Sequence, residues 1–291
     1  MIKNIICSSI GETGKLPIRE FDTRLIYPNS AIMIVAKRGS GKSWVVRALM
    51  KHFEDFPCGI VISPTEDVDP FYSNFFPETY IYTEYRSDII TKILLRQKKL
   101  AEKEKRTGKK IDKRILIVMD DCLATRGTWN KDPLIDTLLM NGRHYGITFI
   151  LTMQYALGIS PNLRSNFDYV FSLADDVQNN IERLYKNYAG MFPSLDSFKQ
   201  VFQQLTEDYG ALVISTKGVK KNILEKIYWY KAPNLDNAGF MFGGKQFRRY
   251  HEKNYDREWR EKADSGIDVN KYMLQKKKEK SLLAIEKIKK Y

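Results

Sequence analysis

Ala31-Ile32-Met33-Ile34-Val35-Ala36-Lys37-Arg38-Gly39-Ser40-Gly41-Lys42-Ser43-Trp44 is the stretch whose reading decides the fold. Five apolar residues predict a buried strand. The loop Ala36–Ser43 then matches the phosphate-binding pattern G-x-x-x-x-G-K-[ST] at every fixed position but the first, where Ala36 stands. Ala is small enough for the loop still to close. A polyphosphate needs many donors in a small space. Gly39 and Gly41 let backbone N–H groups converge on it, and a helix N-terminus adds a positive dipole end. Lys42 reaches the β/γ oxygens, and the Ser43 hydroxyl suits Mg²⁺. The expected nucleotide contacts are therefore Ala36, Lys37, Arg38, Gly39, Ser40, Gly41, Lys42, Ser43 and Trp44. Beyond the loop, Val45, Val46, Leu49, Met50 and Phe53 recur at helical spacing, as on a buried face.

Outward from this loop, apolar strands alternate with amphipathic helices. Gly59–Ile62 reads as a second strand, closed by Ser63-Pro64. Asp88–Arg106 reads as a basic amphipathic helix with Ile89, Ile90, Ile93, Leu94 and Leu100 on its apolar side. Ile115–Met119, Ile147–Thr152 and Asp168–Leu173 are three further strands, the first apolar throughout, as in a sheet covered on both faces. Asp132-Pro133 opens a helix with Asp at the N-cap and Pro at the first helical position. Helices are expected near 176–189 and 195–207, then a hairpin from Gly210–Ser215 and Ile223–Tyr230. The alternation predicts a mainly parallel α/β sheet with helices on both faces. The ATPase domain is expected over residues 1–232, and 233–291 as a basic, partly helical appendage outside the core.

Composition narrows the partners. The 291 residues carry a net charge of +13, which together with a phosphate-binding loop points to a polyanion as well as a nucleotide. Lys92–Arg114 alone holds eleven Lys/Arg against three Asp/Glu, and residues 231–291 hold sixteen against nine. The longest apolar runs are strand-length, well short of the ~18 residues of a membrane span. Met1–Cys7 lacks a full signal-peptide pattern. Cys7, Cys58 and Cys122 are odd in number and scattered, which suits a reducing compartment and no zinc site.

The chemistry-bearing positions fall at strand ends. Asp120 and Asp121 follow Ile115–Met119, at the carboxyl edge where open α/β sheets bind ligands. Asp120 is the expected Mg²⁺-shell carboxylate and Asp121 the residue that orients the attacking water. Gln154 ends the next strand, where its amide can touch the γ-phosphate or its water. Phosphoryl transfer spreads charge over the γ oxygens, and an arginine finger that neutralises it is worth ~10³–10⁵ in rate. Arg143, in Asn141-Gly142-Arg143-His144-Tyr145-Gly146, is the first candidate, acting on a neighbouring subunit; Arg164 is the second.

With these residues in place, the chain resembles the genome-packaging ATPases of large DNA viruses, the poxvirus-type family within the FtsK/HerA superfamily. The resemblance rests on Ala36–Ser43, Ile62-Ser63-Pro64-Thr65, Ile115–Asp121, Arg143-His144-Tyr145-Gly146-Ile147 through Gln154, and Leu163-Arg164-Ser165-Asn166-Phe167-Asp168, in that order. It covers about residues 20–230. It implies a RecA-like P-loop core in which the strand ending at Gln154 lies between the P-loop strand and the strand ending at Asp120. It also implies ATP with Mg²⁺, a homo-oligomeric ring (pentamer or hexamer), and translocation of double-stranded DNA into a preformed capsid. The place of action would be the host cytoplasm's viral factory or the virion. The Arg96–Lys113 segment is the candidate DNA contact. The tail, with Phe247-Arg248-Arg249-Tyr250, Lys276–Lys290 and the apolar Leu282, Leu283, Ile285 and Ile288, is the candidate surface for capsid, inner-membrane protein or DNA. A cellular or conjugative DNA pump or helicase would share nearly every motif. A small-molecule P-loop kinase is a rival of another class, disfavoured by the positive charge and the Asp-Asp pair.

Overall fold

The computed structural model describes residues 16–122, 129–155, 158–236 and 238–259. The chain divides into Met1–Glu252 and Lys253–Tyr291. The first unit is built on a nine-stranded sheet. Its strands are β1 (Arg19–Glu20), β2 (Ala31–Val35), β3 (Cys58–Ile62), β4 (Ile81–Tyr82), β5 (Ile115–Met119), β6 (Ile147–Met153), β7 (Tyr169–Leu173), β8 (Gly210–Ser215) and β9 (Ile227–Lys231). Their spatial order is β1-β9-β8-β7-β2-β6-β5-β3-β4. β8 alone runs against its neighbours; every other pairing is parallel.

Side chains alternate across a strand, so each central strand supplies two cores. Ile32 and Ile34 of β2, Val118 of β5 and Ile150 of β6 face one layer. There they meet Val45, Val46, Leu49 and Met50 of the helix α1 (Lys42–His52). Met33 and Val35, Ile117 and Met119, and Phe149 and Leu151 face the other. Covering that face are α2 (Ser87–Thr107), α3 (Pro133–Asn141), the single turn α4 (Pro161–Arg164), α5 (Gln178–Tyr188) and α6 (Leu195–Leu205). Each large apolar side chain so buried contributes ~1.5–3 kcal/mol. The three-layer arrangement and the β2-β6-β5 order agree with the expected P-loop core.

Local chemistry sets the element ends. Asp132 accepts the Leu134 N–H at 2.9 Å as the N-cap of α3. Its other oxygen accepts the Tyr85 hydroxyl at 2.7 Å and the Ser87 hydroxyl, tying α3 to the start of α2. Gln97, buried on α2, donates to the carbonyls of Lys113 and Tyr145, both at 2.6 Å, and so fixes the entries to β5 and β6.

The expectation that everything after Pro233 lies outside the core does not hold. Phe240, Phe242 and Phe247 are buried in the α1 layer, and Phe242 stacks on Phe76 at 4.9 Å. Charge dominates the composition there and hides three aromatics that the loop at 71–80 needs as cover. A further helix, α7 (Lys245–Asn254), carries Phe247. In the second unit Trp259 Nε1 donates to the Tyr255 hydroxyl at 2.9 Å. Met1–Cys7 and the lysine-rich stretch 276–290 lie outside the described residues. Among the described residues, no helix is long and apolar enough to cross a membrane.

Candidate functional site

The loop after β2 rises from the carboxyl edge at the middle of the sheet. Ala36 extends the ladder by donating to Met153 O at 2.9 Å and is buried, so the place where Ala replaces Gly is sheet-like backbone that tolerates a methyl group. Ser40 closes the turn by donating its hydroxyl to Lys37 O at 2.7 Å. Gly41, the N-cap of α1, has φ of +96°, a conformation that favours glycine. The α1 N-terminus thus faces the loop with its first N–H groups unsatisfied by a capping side chain.

Lys42 turns from this loop toward the neighbouring strands. Its Nζ lies 3.1 Å from Asp120 Oδ1 and 3.7 Å from Asp121 Oδ2. Asp120 is nearly buried, and its amide donates to Ile62 O at 2.9 Å, prolonging β5. Asp121 then turns away with φ of +50°, a left-handed conformation that Asp tolerates. Gln154 Nε2 donates to Asp121 Oδ2 at 2.7 Å. Lys42, Asp120, Asp121 and Gln154, four of the residues singled out in the sequence, thus form one connected group.

Two supporting residues escape sequence reading. Thr152, buried on β6, donates its hydroxyl to Asp120 Oδ1 and accepts the Asp121 N–H at 3.0 Å. One hydroxyl therefore holds the Asp120 carboxylate and the Asp121 backbone at once. No motif in the sequence flags it, because a threonine within an apolar strand looks like any other strand residue until its contacts are seen. Glu66 is 2% exposed and accepts the N–H groups of Phe71, Tyr72 and Ser73 at 3.2, 3.1 and 2.8 Å. It pins the segment after β3, whose Pro64, Thr65, Val68 and Asp69 border the cleft. Burial, with Asp120 and Asp121 beside it, pushes the Cys122 thiol up to about 12. Burial, reinforced by neighbouring Asp120, likewise holds the Tyr72 phenol well above its ordinary value. Both groups stay neutral beside the acidic pair.

The cleft has a volume of about 1090 Å³ and is lined by Ala36–Gly39, Gly41–Trp44, Asp121 and Gln154 from the loop and β5–β6 side. Tyr209, Lys231, Ala232 and Asn234 line it from the β8–β9 side. Lys37 reaches across to pair with Asp176. A hydroxyl and a carboxylate, Ser43 and Asp120, make a hard-oxygen donor set that suits Mg²⁺ completed by phosphate and water. Among the described residues, no group of three or more His, Cys, Asp or Glu converges on one point.

The two arginines stand apart from this cleft. Arg143 is exposed in the 3₁₀ turn Gly142–Tyr145, before β6, at the amino edge. The seven residues of β6 separate it from Gln154, roughly 23 Å of strand. Arg164 is part-buried; its Nε donates to Ile159 O at 3.0 Å and its Nη1 to Asn187 Oδ1. Its guanidinium is thus already engaged within the chain.

Comparison with known proteins places the chain in a family. Residues 19–219 match the family model described as Poxvirus A32 protein. An uncharacterized protein of Acanthamoeba polyphaga mimivirus is 44% identical over 249 residues, covering 84% of this chain and 87% of its own. One from Invertebrate iridescent virus 6 is 33% identical over 260 residues, covering 84% and 98%. Among solved structures, the genome packaging NTPase of Sulfolobus turreted icosahedral virus 2 in complex with sulfate is similar, with a TM-score of 0.51. It is 17% identical, over 72% of this chain and 99% of its own, and so supports the fold alone. With the family match spanning most of the nucleotide-loop sheet and the mimivirus and iridescent-virus relatives matched over most of their length, the chain belongs to the Poxvirus A32 protein family.

Proposed function

We propose that the protein is a Mg²⁺-dependent ATPase that moves double-stranded DNA, and that its task is the packaging of a viral genome. The carrying observation is the convergence of Lys42, Asp120, Asp121 and Gln154 beside the loop Gly39–Ser43. Lys42 neutralises the paired carboxylates. A triphosphate on the loop would attract the Lys42 ammonium through its β/γ oxygens, leaving the Asp120 carboxylate available as a metal ligand. Ser43 and Asp120 would hold Mg²⁺, which supplies charge neutralisation on the phosphate oxygens. Asp121 accepts from Gln154 and so keeps one carboxylate oxygen oriented for an attacking water. Gln154 thereby couples that water's position to the end of β6.

Arg143 is too far along β6 to serve its own cleft, which favours the role of a finger in trans. Arg164 is the weaker candidate because two of its five N–H donors already tie it to Ile159 and Asn187 within the chain. An interface that carries Arg143 into the neighbour's cleft is head-to-tail, the kind that forms a ring when its rotation closes. DNA would be gripped through phosphates by the exposed Lys109 and Lys110 after α2, at the same sheet edge as Arg143. Lys113, of the same segment, is already paired with Glu104. A capsid or inner-membrane protein, or DNA, would dock through the basic tail of residues 233–291.

The test is steady-state ATP hydrolysis with and without long duplex DNA, with Lys42→Ala as the blank. Stimulation by duplex that weakens with salt and vanishes in the variant supports the motor. Turnover indifferent to DNA refutes the translocase assignment.

A further inference from the structure

The geometry points to Tyr209 as the platform on which the purine ring of the nucleotide stacks. The inference rests on the ATPase reading and says where the base goes. The hydrolytic group, Asp120, Asp121 and Gln154, lies on the β6–β5 side of β2. A triphosphate seated on the loop with its γ end toward that group has its nucleoside end directed to the other side. There the sheet continues through β7, β8 and β9. β8 is antiparallel, so its start and the end of β9 both reach the carboxyl edge beside the loop. Gly210 and Lys231 are paired in that register, which places Tyr209 next to Lys231, Ala232 and Asn234 at the mouth of the cleft.

The segment carrying Tyr209 is shaped to hold the ring there. Thr206 caps α6 by donating its hydroxyl to Phe202 O at 2.8 Å. Asp208 and Tyr209 then both take left-handed backbone, with φ of +51° and +61°. Asp accepts that conformation readily, but a bulky Tyr does not, and such outliers cluster where a side chain has been aimed for a purpose. Gly210 follows because a Cβ there would stand 2.3 Å from Leu205 O. Asp208 is anchored by its ion pair with Lys231. The resulting ring lies against the nucleotide loop: a Cβ added at Gly41 would be 3.3 Å from Tyr209 Cδ1.

Tyr209 is nevertheless 65% exposed, and its ring is held in the cleft wall rather than packed into the core. An aromatic face presented to solvent beside a phosphate site is a surface for a flat partner, and a nucleobase is the flat part of this ligand. Asn234 adds a polar edge. Its Oδ1 already accepts the Asp236 N–H at 2.9 Å, leaving the amide NH₂ to donate to a ring nitrogen.

The test compares two probes on the full chain: MgATP, which has a base, and magnesium tripolyphosphate, which has only the phosphates. Tyr209→Asn removes the ring while keeping a residue that tolerates left-handed backbone; Tyr209→Phe keeps the ring. Binding is read by calorimetry. The expected result is an ATP Kd raised about ten-fold in Y209N, as for loss of one stacked base, with tripolyphosphate affinity unchanged and Y209F within about two-fold of wild type. Unchanged ATP affinity in Y209N overturns the inference, and so does equal weakening of both probes, which would mean the loop itself was disturbed. Wild-type protein that binds neither probe removes the ATPase reading, and this inference falls with it.

Discussion

Replacing Thr152 by Val tests whether one buried hydroxyl organises the acidic pair. The two side chains have similar volume, so the change removes a polar group and little else. The Asp121 N–H loses the acceptor it meets at 3.0 Å. A buried donor left unsatisfied costs about 1–3 kcal/mol. Asp120 loses a charge-assisted bond, worth about 1.5–3 kcal/mol. Lys42, at 3.1 Å from the same oxygen, offsets part of that second loss. The net is about 2–4 kcal/mol, or roughly 5–15 °C in Tm for a domain of this size. Turnover should fall further than stability suggests. With the Asp120 carboxylate held by Lys42 alone and the Asp121 backbone untied, displacements of about 1 Å become available, and these cost on the order of 10²-fold in rate. Thr152→Ser, which restores the hydroxyl, should recover most of both losses. The assays are thermal unfolding and ATP turnover on the same preparations. T152V with wild-type Tm and wild-type turnover would refute the reasoning. A lowered Tm with unchanged turnover would leave Thr152 structural only.

Phe242→Ala should destabilise the protein by about 3–5 kcal/mol, because Phe242 is fully buried, and a chain cut at Pro233 should fail to fold cooperatively; denaturant unfolding of both checks this. Asp132 is held below its usual carboxylate value: burial works to raise it, and the bonds from Ser87, Leu134 and Tyr85 outweigh that. A depressed folded-state pKa stabilises above the unfolded value near 3.8 and fades as pH falls through the lower folded value. Asp132→Asn should therefore flatten that part of the acid-unfolding profile, as read by circular dichroism against pH. Neutralising Lys109 and Lys110 together should lower the log–log salt slope of duplex binding by about 1.8 while leaving basal ATP hydrolysis in place; a fluorescence titration at several salt concentrations measures it.

Much of the site was legible because its parts are local. The phosphate loop is contiguous, and its glycines, lysine and serine act through backbone within one turn. Strands wholly covered by helices announce themselves as unbroken apolar runs, so Ile115–Met119 with its terminal Asp-Asp could be read directly. The two-residue edge strands β1 and β4 were not legible, since two residues carry no period. The aromatic anchors Phe240, Phe242 and Phe247 were masked by the polar and charged residues around them, and only their ring contacts with Phe75, Phe76 and Tyr80 explain their place.

The sequence by itself determined the fold class, the phosphate loop, the acidic strand end and the amide that follows it, because each is a property of a short segment. The tertiary structure decided what depends on which strands are neighbours. It set β6 between β2 and β5, which lets Thr152 hold Asp120 and Asp121 together. It set Arg143 at the opposite edge from the cleft and tied the Arg164 guanidinium to Ile159 and Asn187 inside the chain. It also brought the antiparallel β8 to the loop and Tyr209 with it. Sheet order is fixed by the summed burial of two faces at once, a quantity that no single stretch of sequence contains.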